Sequence, residues 1–403
     1  MSWSSWTARR WPRRALAAVA AGLMLTAATA PAALAHVRPT GPFYVPPPDA
    51  GAVAQIKALV LARHPADALL VARTVATPTA VWFTQGTPAE VRASVGDTVR
   101  AAARRHAVPV LVAYDVPARD CSQYSAGGAA SDAAYRAWID GFAAGIGSAP
   151  AVVVVEPDGL ALLPSDCGQE PDQTGPITQG RFADIAYAAV HLGALSHTRV
   201  YLDAGHSHWQ SVGTMTDRLL AAGATSVDGF ALNTSNYQTT SGLQRYGSWI
   251  SRCIAYVQHQ AGRSADCASQ YYPATASDES TWALADAWYA AHVTAAPTAH
   301  FVIDTSRNGR GPWAAPADHP AGDPQEWCNP PGRGLGARPS WSTGNALNDA
   351  FLWVKVPGES DGQCYRWTTG PTDPVRGSAD PAAGRWFGDL ALELARNATP
   401  PLR

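Results

Sequence analysis

Ala151-Val152-Val153-Val154-Val155-Glu156-Pro157-Asp158-Gly159 is the stretch on which the fold turns. Its unbroken apolar run lacks polar alternation, as expected of a strand covered on both faces in a parallel sheet. Runs of the same kind occur at residues 80–84, 108–116, 200–205, 229–235, 300–306 and 350–358. Helix-like stretches separate them, at 88–106, 131–147, 179–195, 211–222 and 280–293. Pro88 and Glu90 open the first and Ser131-Asp132 the second, as helix starts do. Strands alternating with helices predict parallel βα units. No Gly-x-Gly-x-x-Gly follows any strand, so a closed or nearly closed β/α barrel is expected rather than a dinucleotide-binding sheet.

Two connections are unusually long. Residues 247–299 contain Cys253 and Cys267 and read as a helix plus a loop stapled by that pair. Residues 308–345, rich in Pro, Gly and Arg, are too long to be an idle loop. Residues 380–396 read as a closing helix. There is no linker and no second composition zone, so one domain is expected.

The 403-residue chain has 46% apolar and 15% charged residues and a formal charge of −2. Nucleic acid and anionic membranes both call for clustered positive charge, so a neutral partner or substrate is expected instead. Residues 1–35 read as a secretory signal peptide. Arg9, Arg10, Arg13 and Arg14 precede an Ala-rich apolar stretch and the small-x-small site Ala33-Leu34-Ala35. That stretch is short and only weakly apolar for a membrane anchor, so its removal and a secreted, extracellular protein are expected. Cleavage would take four positive charges and leave a formal charge of −6. The six cysteines, Cys121, Cys167, Cys253, Cys267, Cys328 and Cys364, all follow it. An even count in an exported chain reads as three disulfides, with nearest neighbours the first choice of pairing.

Acids and amides end the strands: Glu156 and Asp158, Asp203 before His206, Asn233 and Asn236, Asp304, then Lys355, Glu359 and Asp361. Tyr114 leads to Arg119-Asp120-Cys121. A barrel brings these ends to one rim, where like charges would raise one carboxyl's pKa and keep it protonated. Metal binding by Asp203, His206 and His208 is one reading, but their spacing matches no standard metal motif, and none is expected. Glycoside hydrolysis is the other, because it needs a carboxylic acid for the leaving oxygen and charge to stabilise an oxocarbenium-like transition state. Tryptophan favours it. Of 15 in the chain, 12 follow the signal segment. Trp82, Trp209, Trp327, Trp341 and Trp353 fall near strand ends or in long loops, where an indole face could stack on a sugar, whereas Trp138 and Trp288 read as core.

Seven collinear motifs carry a resemblance: Tyr114-Asp-Val-Pro-Ala-Arg-Asp120-Cys121, Val154-Val-Glu-Pro-Asp158, Tyr201-Leu-Asp203-Ala-Gly-His206, Asn233-Thr-Ser-Asn236-Tyr, Ile303-Asp-Thr-Ser-Arg-Asn-Gly, Trp327-Cys328-Asn-Pro and Lys355-Val-Pro-Gly-Glu359-Ser-Asp361-Gly. Together they resemble the family 6 glycoside hydrolases, from Phe43-Tyr44-Val45 to the final helix. These are secreted cellulases with an α/β fold, a distorted seven-stranded parallel β/α barrel. The resemblance implies that Asp158 is the general acid and Asp120 the partner that raises its pKa. It implies Asp361 as the base, a role complicated by proton transfer through a second water. Asp203 becomes a further rim carboxylate, and Tyr114 the ring that favours a distorted sugar. Trp82, Thr84, His206, Trp209, Asn236, Trp327, Lys355 and Glu359 fall at glucose-contacting positions. The implied disulfides are Cys121–Cys167 and Cys328–Cys364, beside the local Cys253–Cys267.

The resemblance further implies an inverting mechanism, no cofactor and a β-1,4-glucan substrate, with a monomer expected. Ala126 stands where many relatives have Ser before Gly-Gly, with Ser125 one residue earlier. A role through the backbone carbonyl would tolerate Ala; a role through the hydroxyl would not. The short segment between Asp120 and Asp158 favours an endoglucanase, with a tunnel-roofed cellobiohydrolase as the alternative. The rivals from other classes are a metal-dependent barrel hydrolase and a non-catalytic glucan-binding protein.

Overall fold

Seven strands, β1 (Val81–Phe83), β2 (Val110–Ala113), β3 (Ala151–Val155), β4 (Thr198–Asp203), β5 (Gly229–Leu232), β6 (His300–Asp304) and β7 (Asn348–Leu352), pair in parallel and in chain order. They come from a computed structural model that describes residues 39–273 and 278–402. The expected signal peptide at 1–35 lies outside the described residues.

Side chains alternate between the two faces of each strand, and that alternation builds two layers. Leu111, Val153, Leu202, Phe230 and Ile303 face outward into a core shared with helices. Val112, Val154, Tyr201, Ala231 and Val302 fill the barrel interior with Phe43 and Ala350. Both sets are buried, which is why the strands read as continuous apolar runs.

The covering helices are α3 (Pro88–Ala103), α4 (Asp132–Ile146), α5 (Pro176–Gly193), α6 (Val212–Ala221), α7 (Thr240–His259) and α8 (Trp282–His292). Thr87 and Glu90 form a reciprocal capping box on α3, and Ser131 caps α4. Two helices that the sequence reading did not single out, α1 (Ala50–Leu61) and α2 (Pro65–Val75), precede β1 and pack with the closing helix α9 (Gly388–Arg396). Among the described residues no helix is long and apolar enough to cross a membrane.

The barrel seam lies between β1 and β7. No ladder joins these strands; the Ala80 N–H donates to the Trp353 carbonyl at 2.9 Å and the Trp82 indole N–H to the Val354 carbonyl at 2.8 Å. Two strands also stop earlier than their apolar runs, because side-chain carboxylates take over the backbone at the rim. Glu156 accepts the N–H groups of Asp115 and Val116 past β2. Asp304 accepts those of Val354 and Lys355 past β7.

The three disulfides are Cys121–Cys167, Cys253–Cys267 and Cys328–Cys364. The first ties the segment after Asp120 to the one after Asp158, the second staples the end of α7, and the third ties the two segments flanking Asn329 and Asp361.

Candidate active site

Past the carboxyl ends of the strands the backbone turns through conformations that side chains disfavour. Asp120, Glu156, Asp158, Asn233 and Ser235 take φ of 56°, 50°, 63°, 69° and 60°. Each costs on the order of 1–3 kcal/mol and persists only where its surroundings hold it.

Asp158 follows β3. Its backbone N–H donates to Oδ1 of Asp203 at 3.0 Å, and the same oxygen accepts the Gly205 N–H at 3.0 Å. Burial pushes the Asp158 carboxyl well above the ordinary aspartate range, and the charges of Asp203, Asp120 and Asp361 push it further. Asp203, buried at the end of β4, is raised by burial as well. The pair therefore keeps a proton toward neutral pH. Asp120 is raised by burial, partly offset by the Ser125 N–H, 2.7 Å from its Oδ2, and by Arg119.

Asp361 goes the other way. Burial raises it, but the charges of Arg307 and Lys355 outweigh that and hold its carboxyl below the ordinary range. Arg307 Nη1 lies 2.9 Å from both carboxylate oxygens. Oδ2 also accepts the Tyr237 hydroxyl at 3.2 Å and the Asn329 N–H at 3.0 Å, while Lys355 Nζ stands 3.7 Å from Oδ1. One site thus holds one carboxyl protonated and another ionised.

Around this pair the other expected residues assemble. Tyr114 is buried; burial, then Asp158 and Asp120, keep its hydroxyl protonated. Its ring meets Trp82 edge-on at 5.4 Å and carries the Arg119 guanidinium 4.4 Å above it. Arg119 also donates to the carbonyls of Thr84, Tyr114 and Ser125. The Ala126 carbonyl lies at the edge of that group, 3.5 Å from Arg119. Burial brings His206 down to about 3, so it is a neutral ring beside Trp209, centroids 5.3 Å apart. Asn236 Oδ1 accepts from the N–H of Tyr237, whose hydroxyl reaches Asp361. Lys355 donates to the Ser360 carbonyl, and Glu359, raised by burial, feels the Lys355 and Arg307 charges. Trp327 is 36% exposed and lies beside Tyr124, which packs on Gly362.

Of the tryptophans considered for sugar stacking, Trp353 is not available for it, and Trp341 is half-buried with one face covered. Trp353 is 1% exposed and packs with Leu335, Leu390 and Leu394. Trp341 stacks on Phe43 at 4.3 Å and donates to the Gly41 carbonyl.

Arg307, Tyr237 and Asn329 were not foreseen. Each stood inside a quoted motif, but a lone Arg or Asn in a polar stretch gives no sign that it will be buried against a carboxylate. The side chains among the described residues that converge as a metal could require are Cys364, Asp373 and Asp380. Cys364 is in a disulfide and Asp373 grips Arg366 at 2.8 Å, so that cluster is structural.

The model of the family "Glycosyl hydrolases family 6" matches residues 39–398. Endoglucanase A of Thermobispora bispora is 37% identical over 98% of this chain and 70% of its own length. Endoglucanase A of Cellulomonas fimi is 37% identical over 90% of this chain and 62% of its own. The chain therefore spans about two thirds of the length of these relatives. A solved structure of the endoglucanase Cel6 from Mycobacterium tuberculosis, in complex with a methyl-cellobiosyl-4-deoxy-4-thio-β-D-cellobioside, is 37% identical and has a TM-score of 0.66. That match covers 89% of this chain and 97% of the other.

Proposed function

The chain belongs to glycosyl hydrolases family 6, and we propose that it is an endo-1,4-β-glucanase that cleaves internal bonds of cellulose or a related β-1,4-glucan with inversion. The observation that carries this reading is the opposed protonation of Asp158 and Asp361 within one buried site. Environments that push two carboxyls apart define an acid and its counterpart.

In the proposed reaction Asp158 gives its proton to the leaving glycosidic oxygen while water attacks the anomeric carbon from the opposite face. The water's proton passes toward Asp361, by way of a second water. Asp361 is a weak proton acceptor, because Arg307 and Lys355 hold it ionised; it also supplies negative charge for the oxocarbenium-like transition state. Asp120 and Asp203 keep Asp158 protonated until the bond breaks. Tyr114 supports the distorted ring. Trp82, Thr84, His206, Trp209, Asn236, Trp327, Lys355 and Glu359 line the glucan. Single displacement needs no covalent sugar–enzyme bond, so proton NMR of the first product should show the α-anomer. An initial β-anomer would refute inversion.

An exo-acting cellobiohydrolase is the second reading. It is favoured by Tyr124, which carries the segment after Asp120 onto that after Asp361 and meets Trp327 and Tyr365. Viscosity of carboxymethylcellulose decides between them: endo cleavage lowers it well before reducing ends accumulate, and exo cleavage does not. We further propose export with loss of residues 1–35, release as a monomer, and extracellular action. Three disulfides suit that compartment.

A further inference from the structure

We propose that Glu156 and Arg181 are a buried clamp that sets the separation of Asp120 and Asp158, and so act as positioning residues for proton donation. The inference rests on the acid role of Asp158 proposed above. Glu156 is fully buried, and its carboxylate receives the Asp115 N–H at 3.0 and 3.2 Å and the Val116 N–H at 3.1 Å. Arg181, on α5 and 4% exposed, donates through Nη2 to the carbonyls of Pro117 and Ala118 at 2.8 and 3.0 Å. Its Nη1 donates to the Gly159 carbonyl at 3.1 Å.

The segment 115–118 is therefore gripped by its N–H groups from one side and its carbonyls from the other. Both grips lead to the turn carrying Asp158: Glu156 lies two residues before that aspartate, and Gly159 directly follows it. Asp120 lies two residues beyond Ala118. The left-handed backbone of Ala118 and Glu156, φ 53° and 50°, needs such external hold. A planar guanidinium can bridge three carbonyls on two segments, whereas one ammonium cannot keep that fork. The titratable groups acting on Arg181 include Glu156, Tyr135, Tyr114 and Asp184, and Asp132 lines the same cavity.

The test compares two substrates in Arg181→Met and Arg181→Lys enzymes. One is a cello-oligosaccharide, whose leaving oxygen must be protonated; the other is a dinitrophenyl β-cello-oligoside, whose leaving group needs no proton. With Arg181→Met, kcat on the first should fall at least about tenfold with KM held, since general-acid assistance is worth about 10²–10⁴. On the second it should change less than about threefold. The alkaline limb of the pH profile should move to lower pH as Asp120 recedes from Asp158. Direct loss of a positive charge would move it to higher pH. Arg181→Lys should fall between wild type and Arg181→Met. An equal fall on both substrates, or an alkaline limb that stays or rises, overturns the clamp. If Arg181→Met does not fold, Arg181→Lys gives the comparison with the charge kept, and Glu156→Gln gives the two-substrate comparison alone. A wild-type enzyme inactive on both substrates would instead remove the proposed function, and the clamp with it.

Discussion

The backbone N–H of Asp158 donates to the carboxylate of Asp203, 3.0 Å away. One residue thereby fixes the turn that carries the other and places a second buried carboxyl beside it. Asn at position 203 can still accept that hydrogen bond, but brings no charge. Asp203→Asn should therefore leave the melting temperature nearly unchanged and move the alkaline limb of the rate profile to lower pH, because Asp158 loses the neighbour that raises it. A pH–rate profile on a soluble β-1,4-glucan reads this directly; an unmoved limb would mean that Asp203 does not couple to the acid.

The fold should be most stable in mild acid. Buried Asp115, Asp184 and Asp380 are raised to about 6 and Glu156 to about 7, with burial the largest cause in each. A carboxyl whose folded pKa lies above its unfolded value contributes stability that is complete below the unfolded value and is lost as pH rises through the folded one. Stability should therefore decline between about pH 4 and pH 7. Asp361, held low, acts in the opposite sense and loses its contribution only as pH falls below the ordinary aspartate range. Scanning calorimetry should show a higher melting temperature near pH 5 than near pH 8. The reverse order would contradict the burial of these four acids.

Arg307 is fully buried and Asp361 nearly so. Replacing one partner of such a pair leaves an uncompensated charge, at a cost of about 3–5 kcal/mol. Arg307→Met should lower the urea midpoint by a corresponding amount and abolish turnover. Arg307→Lys should recover part of the stability, since one ammonium can meet the Asp361 carboxylate but cannot also donate to the Ser235 carbonyl as the second guanidinium nitrogen does. Equilibrium unfolding of the two variants checks the order.

Trp327 tests sugar contact with little risk to the core, being 36% exposed. Trp327→Ala should weaken cello-oligosaccharide binding by about 0.5–1.5 kcal/mol, up to roughly tenfold in Kd, while the melting temperature holds. Calorimetric titration measures it.

The barrel was legible because its strands are buried on both faces. Val152 and Val154 inside, with Val153 and Val155 outside, leave no polar position to confuse the reading. The strand ends were less legible. The runs past Ala113 and Leu352 stay apolar except for Asp115 and Lys355, but their N–H groups go to Glu156 and Asp304, which no periodicity announces. The last strand also hides a polar residue: Asp349 sits within β7 and accepts the Tyr201 hydroxyl at 2.7 Å across the barrel. Acids at strand ends pointed to the site, and the motifs placed Asp158, Asp120, Asp203 and Asp361 there. Arg307 and Arg181 escaped notice because an arginine in sequence reads as surface. Their burial is set by carbonyls and carboxylates that meet only in three dimensions.

Asp158→Asn is the most direct measurement. The amide keeps the shape and the backbone hydrogen bond to Asp203 but has no proton to give. On a soluble β-1,4-glucan kcat should fall by about 10²–10⁴, while cello-oligosaccharide binding, measured by calorimetry on the same protein, stays near the wild-type value. Near-normal turnover by this variant would take the acid role away from Asp158 and, with it, the proposed mechanism.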